Sequence, residues 1–457
     1  MRLKRSNIFS LVVVIMMAAI CSHSCTPSDL DFTISPGKER QDESATRLPI
    51  SKYQNVFLVY SMGYNDIYSY LKDDIKDLIS SPLMQNRRDI MLIFSHLANK
   101  YPGERYPSFN EPTCPTLTKV YRNIEGDIVK DTLLVLPETE IAADPQTMKK
   151  ILTYTKENFE AESYGVLFSS HGSGWAPKGY INDPSDYEYL PDDDDELIPI
   201  RRQKKQDTPV YNMGREDGID VKSMGVHNLS LYETKELNIN EIAAAFPFKM
   251  DYVIFDACYM GGIEVAYELR NVTDRIIFSQ TEILGDGMDY KTMASYIYSP
   301  QGPDLVGFCQ RYFDYYNSQS GLYKSATISL IDCTKLEELA QTTKGLLDRY
   351  RSGLEALQTS RNAQRYFRSS YASKHQWFYD FGDIMAKCGL SEEDLASFNE
   401  RLNAAVLYKA STPYFMSDIK MEHHSGLSMY LPLYQNRIYL NNFYKTLEWN
   451  KAVELVL

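Results

Sequence analysis

Two short apolar runs that end in reactive residues constrain this chain more than any other feature. Residues 164–168 (Tyr-Gly-Val-Leu-Phe) lead into Ser-Ser-His-Gly, and residues 250–255 (Met-Asp-Tyr-Val-Ile-Phe) lead into Asp256-Ala257-Cys258. Runs of this length, rich in β-branched and aromatic residues, are typical of buried parallel strands. Because open α/β sheets carry their chemistry at the carboxyl ends of strands, we expect His171 and Cys258 to lie at one edge of a parallel sheet.

The remaining pattern also predicts an α/β fold. Strands that alternate with helical segments indicate parallel pairing through right-handed crossovers. Further strands are predicted at 55–60, 90–94, 275–278 and 326–331, with a β-hairpin at 118–136. From about residue 332 onward helical segments dominate, with one short apolar stretch at 427–431. We therefore predict an α/β domain at 51–331 and a mostly helical C-terminal domain at 332–457.

The N-terminus has the features of an export signal. A basic start at 2–5 precedes a continuous apolar run at 8–20, which is too short for a standard transmembrane helix. Bacterial lipoproteins are cut before a cysteine that is then acylated, and Cys25 after a small residue fits better than Cys21 after Ile20. We predict a lipoprotein signal at 1–25, lipidation at Cys25 and a flexible tether at 26–50. The protein would then be a periplasmic or surface-facing envelope lipoprotein, and a plain secretory signal is the alternative.

Charge and cysteine content narrow the function class. The formal net charge of −13 argues against a nucleic-acid partner, which needs a basic face. Five cysteines follow the signal region, and they show no CxxC spacing. They are Cys114, Cys258, Cys309, Cys333 and Cys388. Neither a zinc site nor a disulfide framework is suggested, and an odd number leaves at least one thiol unpaired. Cys258 has the best context for a reactive thiol, whereas Cys309 is expected to be a buried small hydrophobe.

A cysteine attacks as a thiolate and therefore needs a base, for which His171 is the natural candidate. The backbone N–H groups of Gly172 and Cys258 would form an oxyanion site. Strand parity places Asp256 on the same side as Cys258. A carboxylate there opposes thiolate formation, so we interpret Asp256 as the group that binds a cationic substrate side chain.

The segments Ser-Ser-His-Gly-Ser-Gly-Trp (169–175) and Phe-Asp-Ala-Cys-Tyr-Met-Gly-Gly-Ile (255–263) resemble the clostripain family of cysteine peptidases. The resemblance covers about residues 56–331. It implies a caspase-like αβα sandwich with a mostly parallel sheet, His171 as base and Cys258 as nucleophile. It also implies Asp256 and Asp286 as acidic pocket residues and cleavage of peptides or proteins after Arg or Lys. No metal would take part in the chemistry, although calcium supports some members of the family.

The polar segment at 176–237 departs from the family pattern because it is longer than expected. Clostripain-like enzymes are often activated by self-cleavage between the histidine and cysteine segments, and an acidic pocket would attract basic residues there. The candidates for cleavage are Lys178, Arg201, Arg202, Lys204, Lys205 and Arg215. We predict latency that is relieved by cleavage near Arg201 to Lys205. The alternatives are a solvated loop that is never cut and, for the acidic run at 192–196, a calcium site.

A second function class stays open at this point. The chain holds 35 tyrosines, which would suit a non-catalytic surface lipoprotein that binds peptides or glycans on a degenerate peptidase fold. The presence of both His171 and Cys258 argues for catalysis.

Overall fold

Nine strands form one central sheet in the part of the chain that the structure describes. In this computed structural model, that part is residues 52–80, 88–99, 112–180, 187–188, 200–201, 227–228, 234–368, 377–432 and 437–457. The strands, in spatial order, are β14 (Val406–Ser411), β12 (Thr327–Asp332), β11 (Thr273–Phe278), β10 (Met250–Asp256), β5 (Ala161–Ser169), β1 (Tyr53–Gly63), β2 (Asp89–Leu97), β3 (Thr116–Arg122) and β4 (Ile128–Val135). The predicted signal and tether, with Cys25, lie outside the described residues.

The five central strands are parallel, as the sequence predicts, and the flanking strands are not. The strands β11, β10, β5, β1 and β2 pair in parallel, while β3 and β4 extend one edge and β12 and β14 the other in antiparallel fashion. Parallel pairing predicted for the strand at 326–331 is therefore wrong. Two helices, at Tyr290–Ile297 and Leu305–Asn317, separate it from β11, so the chain enters β12 from the opposite end of the sheet.

Short strand pairs lie outside the main sheet. They are β6 (Tyr187–Glu188) with β7 (Ile200–Arg201), β8 (His227–Asn228) with β9 (Thr234–Lys235), β13 (Tyr379–Asp380) with β17 (Ser428–Met429), and β15 (Tyr414–Phe415) with β16 (Ile419–Lys420). The first two pairs belong to the long polar segment between the histidine and cysteine motifs. The third joins two parts of the C-terminal region.

Helices cover both faces of the sheet. They are α1 (Tyr68–Ser80), α2 (Pro145–Asn158), α3 (Ile239–Ala245), α4 (Ile263–Leu269), α5 (Tyr290–Ile297), α6 (Leu305–Asn317), α7 (Leu336–Ser360), α8 (Phe381–Lys387), α9 (Glu392–Ala405), α10 (Ile438–Thr446) and α11 (Glu448–Val453). Short 3₁₀ helices lie at Gly321–Tyr323 and Cys333–Lys335. No helix within the described ranges combines the length and apolar character that crossing a bilayer needs.

The order of connections creates a switch point between β1 and β5. The chain moves from β1 through α1 to β2 in one direction along the sheet, and from β5 through α3 to β10 in the other. Right-handed crossovers place α1 and α3 on opposite faces. The carboxyl ends of β1 and β5 therefore border the crevice where α/β sheets bind ligands.

The C-terminal region is mostly helical, as predicted, but it also completes the sheet. Strand β14 follows α9 directly and pairs with β12 at the edge. The sequence did not predict this strand, because the apolar pattern of α9 runs on into it. Buried residues of this region, such as Trp377, Tyr430 and Trp449, share one continuous core with the α/β part.

Candidate active site

Strand register brings the histidine and cysteine segments together. In the parallel pair β5–β10, Ser169 lies opposite Asp256, so continuing the register by two residues places His171 opposite Cys258. The glycine after the histidine makes this approach possible. A Cβ on Gly172 would lie 2.6 Å from the backbone nitrogen of Cys258, so a side chain there would force the two segments apart. The two predicted oxyanion donors, Gly172 and Cys258, accordingly belong to backbones in close contact.

His171 is held by a carboxylate that the sequence analysis did not single out. Its Nε2 lies 2.7 Å from Oδ1 of Asp66, in the turn that follows β1. The side chain of His171 is 8% exposed and that of Asp66 is 37% exposed. Asp66 follows the carboxyl end of a neighbouring parallel strand, so the strand-end rule that selected His171 and Cys258 also applies to it.

The thiol of Cys258 is almost fully covered. The residue is 1% exposed, and the backbone N–H of Ile283 points at Sγ over 3.2 Å. The same sulfur lies 3.7 Å from the Ile283 carbonyl oxygen. Ile283 belongs to the segment after β11, so the segment that follows this neighbouring strand covers the sulfur of Cys258.

The backbone beyond Cys258 turns sharply. Tyr259 has φ = 59°, in the left-handed region that an aromatic residue rarely adopts. Its N–H donates to Thr281 O over 2.9 Å, and its ring stacks on Phe378 with centroids 4.8 Å apart. Gly174 also has a positive φ, and a Cβ there would lie 2.7 Å from the Tyr259 carbonyl oxygen. Backbone strain of this kind concentrates at functional sites.

Asp256 lies at the same sheet edge but is closed to solvent. It is 0% exposed, and its Oδ2 accepts hydrogen bonds from Tyr290 Oη at 2.6 Å and Ser169 Oγ at 3.1 Å. Burial, and then the charge of Asp256, raise the pKa of Tyr290 well above its usual value, so this hydroxyl stays a donor. The sequence did not predict Tyr290 as a partner, because it lies on α5, far along the chain.

Asp286 is exposed and lies near Tyr316. It lies between β11 and α5, next to Gly287, whose carbonyl oxygen accepts from Tyr316 Oη. Burial raises the pKa of Tyr316 well above its usual value, with smaller contributions from Tyr312, Asp256 and Asp286 in that order. Asp256 and Asp286 are therefore both near enough to Tyr316 to raise its pKa slightly.

The two ends of the long polar segment are held together at its base. The N–H of Lys178 donates to Asn238 Oδ1 at 2.8 Å, and the N–H of Gly179 donates to Glu236 Oε2 at 2.7 Å. Lys178 Nζ also pairs with Glu241 at 2.9 Å. Of the other predicted cleavage residues, Arg201 ends β7, and Arg202, Lys204, Lys205 and Arg215 lie outside the described residues, as does the acidic run at 192–196.

The returning end of this segment docks near the catalytic edge. His227 is buried, and its ring stacks on Tyr64 at 4.4 Å and lies 4.9 Å from the ring of His96. The N–H of Asn228 donates to Tyr64 O at 2.9 Å. Burial lowers the pKa of His96 to about 3 and that of His227 to about 4. The sequence did not predict a role for His227, because ring stacking between distant segments leaves no local pattern.

A buried ion pair supports the segment that encloses Cys258. Arg368 contacts Glu282 through Nε at 3.0 Å and through Nη2 at 2.9 Å, and both residues are about 2% exposed. Burial raises the pKa of Glu282, and Arg368 opposes this shift. Since Glu282 precedes Ile283, the pair ties the C-terminal region to the backbone that touches the thiol.

The remaining histidines of the described part of the chain contact other residues, and the remaining cysteines there are buried. No group of three or more His, Cys, Asp or Glu residues suited to a metal ion occurs within the described ranges. His424 Nε2 lies 2.9 Å from Gln280 Oε1, and His423 Nε2 lies 3.5 Å from Asp383 Oδ1. Cys309 is buried in α6, as predicted, and burial raises its pKa well above the usual value.

A cysteine and a histidine side by side at the ends of adjacent parallel strands are what a cysteine peptidase requires. The chain belongs to the clostripain family, whose model matches residues 59–187 and 220–455. The unmatched stretch, 188–219, falls inside the polar segment at 176–237. The predicted family and caspase-like α/β fold are thus confirmed.

Individual relatives agree with this assignment. Clostripain from Hathewaya histolytica is 25% identical over 335 residues, which are 63% of this chain and 57% of that protein. An inactive zymogen of a C11 protease from Parabacteroides distasonis shares 25% identity, with a TM-score of 0.65 over 88% of this chain and 99% of that one. A secreted C11 cysteine protease from Bacteroides thetaiotaomicron shares the fold at 24% identity, with the same TM-score and coverage.

Proposed function

We propose that this protein is a cysteine endopeptidase that cleaves after Arg or Lys, with Cys258 as nucleophile and His171 as base. The observation that supports the proposal most is the close approach of Gly172 to the Cys258 backbone in the register of β5 with β10, which favours a position of His171 next to the cysteine. Family membership supports the reaction class. The acids Asp256 and Asp286 support the preference for basic residues, because both lie on the carboxyl side of strands next to Cys258.

The chemistry follows from these positions. The Cys258 thiol gives its proton to His171, and the sulfur attacks the carbonyl carbon of the scissile peptide bond. The resulting oxyanion accepts hydrogen bonds from the N–H groups of Gly172 and Cys258. His171 then protonates the leaving amine, which leaves a thioester on Cys258. Water, deprotonated by His171, hydrolyses the thioester and restores the thiol.

We further propose that the chain is made in a latent form and is activated by self-cleavage in the polar segment. The nearly complete burial of Cys258 and Asp256 supports latency, since a substrate needs access to both. The hydrogen bonds at Lys178 and Gly179 support cleavage without dissociation, because both sides of the cut stay anchored to the core. The stretch 188–219, which the family model does not match, is the preferred place, and it includes Arg201 to Lys205.

We also propose export and a lipid anchor at Cys25, which rest on the signal-like N-terminus. Palmitate labelling of the full chain in a bacterial host tests this: Cys25→Ala should lose the label, and retention of the label would contradict lipidation at that residue.

Hydrolysis of small fluorogenic amides tests the function directly. After limited cleavage of the polar segment, the protein should hydrolyse Arg and Lys amides, and it should not hydrolyse matched Leu or Asp amides. Cys258→Ala should remove this activity. Cys309→Ala is the matched control, since Cys309 is a free, buried cysteine that lies on α6, and it should keep the activity. Equal hydrolysis by Cys258→Ala would exclude Cys258 as nucleophile, and no hydrolysis of any amide would favour a binding protein on this fold.

A further inference from the structure

We propose that Asp66 is a positioning residue, which fixes the ring of His171 and stabilises its protonated form. This inference rests on the proposed peptidase function and adds a third member to its histidine and cysteine. The contact between Asp66 Oδ1 and His171 Nε2 is 2.7 Å, within the range of a charge-assisted hydrogen bond. Nδ1 is then the ring nitrogen that exchanges a proton with Cys258.

The turn that carries Asp66 is fixed on both sides. Asn65 is fully buried, with its Nδ2 donating to Met62 O at 3.0 Å and its Oδ1 accepting from the N–H of Ile67 at 3.2 Å. Ile67 is also buried. Two buried neighbours leave the backbone of Asp66 little freedom, so its carboxylate is presented in one direction.

The carboxyl ends of β1 and β5, the strands on either side of the switch point, are also joined by a hydrogen bond. Ser170 Oγ donates to Met62 O at 3.0 Å, which ties the segment before His171 to the end of β1. The backbone of Asn228 bonds to Tyr64 on the other side of the turn. Asp66 and His171 thus lie in backbone segments that are joined by hydrogen bonds, and these bonds fix the distance between the two residues.

The charge of Asp66 has a direct chemical consequence. Each catalytic cycle makes His171 positively charged when it takes the thiol proton, and a nearby carboxylate favours that charged form. A hydrogen bond to one ring nitrogen also fixes which nitrogen points towards the cysteine, as the carboxylate of a catalytic triad does. Asp66 would therefore lower the barrier of the chemical step and leave substrate affinity unchanged.

Three variants separate charge, hydrogen bonding and shape. Asp66→Asn keeps an oxygen acceptor without the charge, Asp66→Ala removes both, and Asp66→Glu keeps the charge. Asp73→Asn is the matched control, because Asp73 is an exposed acid on α1 whose partner is Lys76. Each full-length protein is cut with immobilised trypsin, which is then removed, and equal fragment patterns are verified, so that a defect in self-processing does not enter the comparison.

Steady-state kinetics on an Arg amide gives the first result. We expect Asp66→Asn and Asp66→Ala to lower kcat by about 10- to 100-fold with little change in KM, since one charge-assisted hydrogen bond is lost. Asp66→Glu should retain more of the rate, and Asp73→Asn should behave as the wild type. His171 must be deprotonated to accept the thiol proton, so the acidic limb of the kcat/KM pH profile should move to lower pH in Asp66→Asn and less so in Asp66→Glu.

Several outcomes would overturn the role of Asp66. An unchanged kcat in Asp66→Asn excludes it, and a raised KM with unchanged kcat makes Asp66 a substrate contact. A rate loss that parallels a fall in Tm and is equal in all three variants makes Asp66 structural. If the wild-type protein shows no hydrolysis, or if Cys258→Ala hydrolyses the amide equally well, the proposed peptidase function is wrong. If the wild type and Asp66→Asn are equally active, only the role of Asp66 is excluded.

Discussion

The two sides of His171 differ in how open they are. On the β1 side, Asp66 is partly exposed and already contacts the imidazole. On the β10 side, Cys258 and Asp256 are almost fully buried, and Asp256 is bonded to Tyr290. The contact between His171 and Asp66 is thus formed while Cys258 and Asp256 are covered. In the proposed activation, latency results from the burial of Cys258 and Asp256, and cleavage does not have to change the contact between His171 and Asp66.

The largest expected effect is on self-processing, which is all or none. Purified wild-type protein should separate into two fragments on a denaturing gel, and Cys258→Ala should remain one chain. Replacing Arg201, Arg202, Lys204 and Lys205 together with Ala should block the cut, and Lys178→Ala should not, since Lys178 is anchored to α3. Identical fragments from wild type and Cys258→Ala would show that another protease makes the cut.

The next effect concerns the buried acid on the substrate side. Asp256→Asn keeps an oxygen that accepts from Tyr290 and removes the charge. We expect it to lower kcat/KM for Arg and Lys amides by about 100-fold, because a buried charge pair with the substrate is lost. Asp286→Asn should have a smaller effect, since Asp286 is exposed. An unchanged ratio of Arg to Leu hydrolysis in Asp256→Asn would contradict the role of Asp256.

The free energy of unfolding should depend more on the buried ion pair beside Cys258 than on an ion pair at the protein surface. Removing one partner of a buried ion pair costs about 3–5 kcal/mol, so Arg368→Met should lower the free energy of unfolding by roughly that amount. Arg349→Met breaks an exposed pair with Asp394 and should cost less than about 1 kcal/mol. Urea titrations of both variants measure the difference in the free energy of unfolding. Equal losses in the two variants would mean that the Arg368–Glu282 pair does not stabilise the segment that covers Cys258.

The smallest effect is a pH dependence at the docked end of the polar segment. The pKa values of His96 and His227 are lowered to about 3 and about 4, below the value of about 6.5 expected in the unfolded chain. Unfolding therefore takes up protons below about pH 6.5, and the free energy of unfolding falls as the pH is lowered towards 4. Below these folded-state values the dependence ends.

His227→Phe tests this sign, because it keeps a stacked ring and removes one titrating group. The slope of unfolding free energy against pH between 4 and 6.5 should decrease by about 1.4 kcal/mol per pH unit. His423→Phe is the control, as His423 is exposed. A slope that His227→Phe leaves unchanged would show that His227 already titrates normally in the folded protein.

The sequence predicted the elements that have a local pattern. Buried strands at the two motifs, the hairpin at β3 and β4, and the residues His171 and Cys258 all follow from apolar runs and strand-end glycines. The same rule would have found Asp66, had it been applied to the end of β1. The antiparallel direction of β12 was missed because it depends on how many helices precede the strand, and β14 was missed because the apolar pattern of α9 runs on into it.

Contacts between distant segments leave no such pattern. Tyr290 against Asp256, Arg368 against Glu282 and His227 against Tyr64 each join residues that are far apart in sequence. Their partners are fixed only once the sheet order is known. Strand parity predicted that Asp256 and Cys258 share a side, although β10 ends at Asp256. No local feature indicated that Asp256 is buried and bonded to Tyr290.

The most direct test of this account is to locate the residue that a substrate-like reagent alkylates. The protein, with its polar segment cut, is treated with a peptidyl Lys chloromethyl ketone, and the modified peptide is identified by mass spectrometry. If Cys258 is the nucleophile and the polar segment keeps it covered, one adduct forms on Cys258, much faster in cut than in uncut protein, and it is lost in His171→Ala. Labelling of Cys309, Cys333 or Cys388 instead, or equal labelling of cut and uncut protein, would contradict this account.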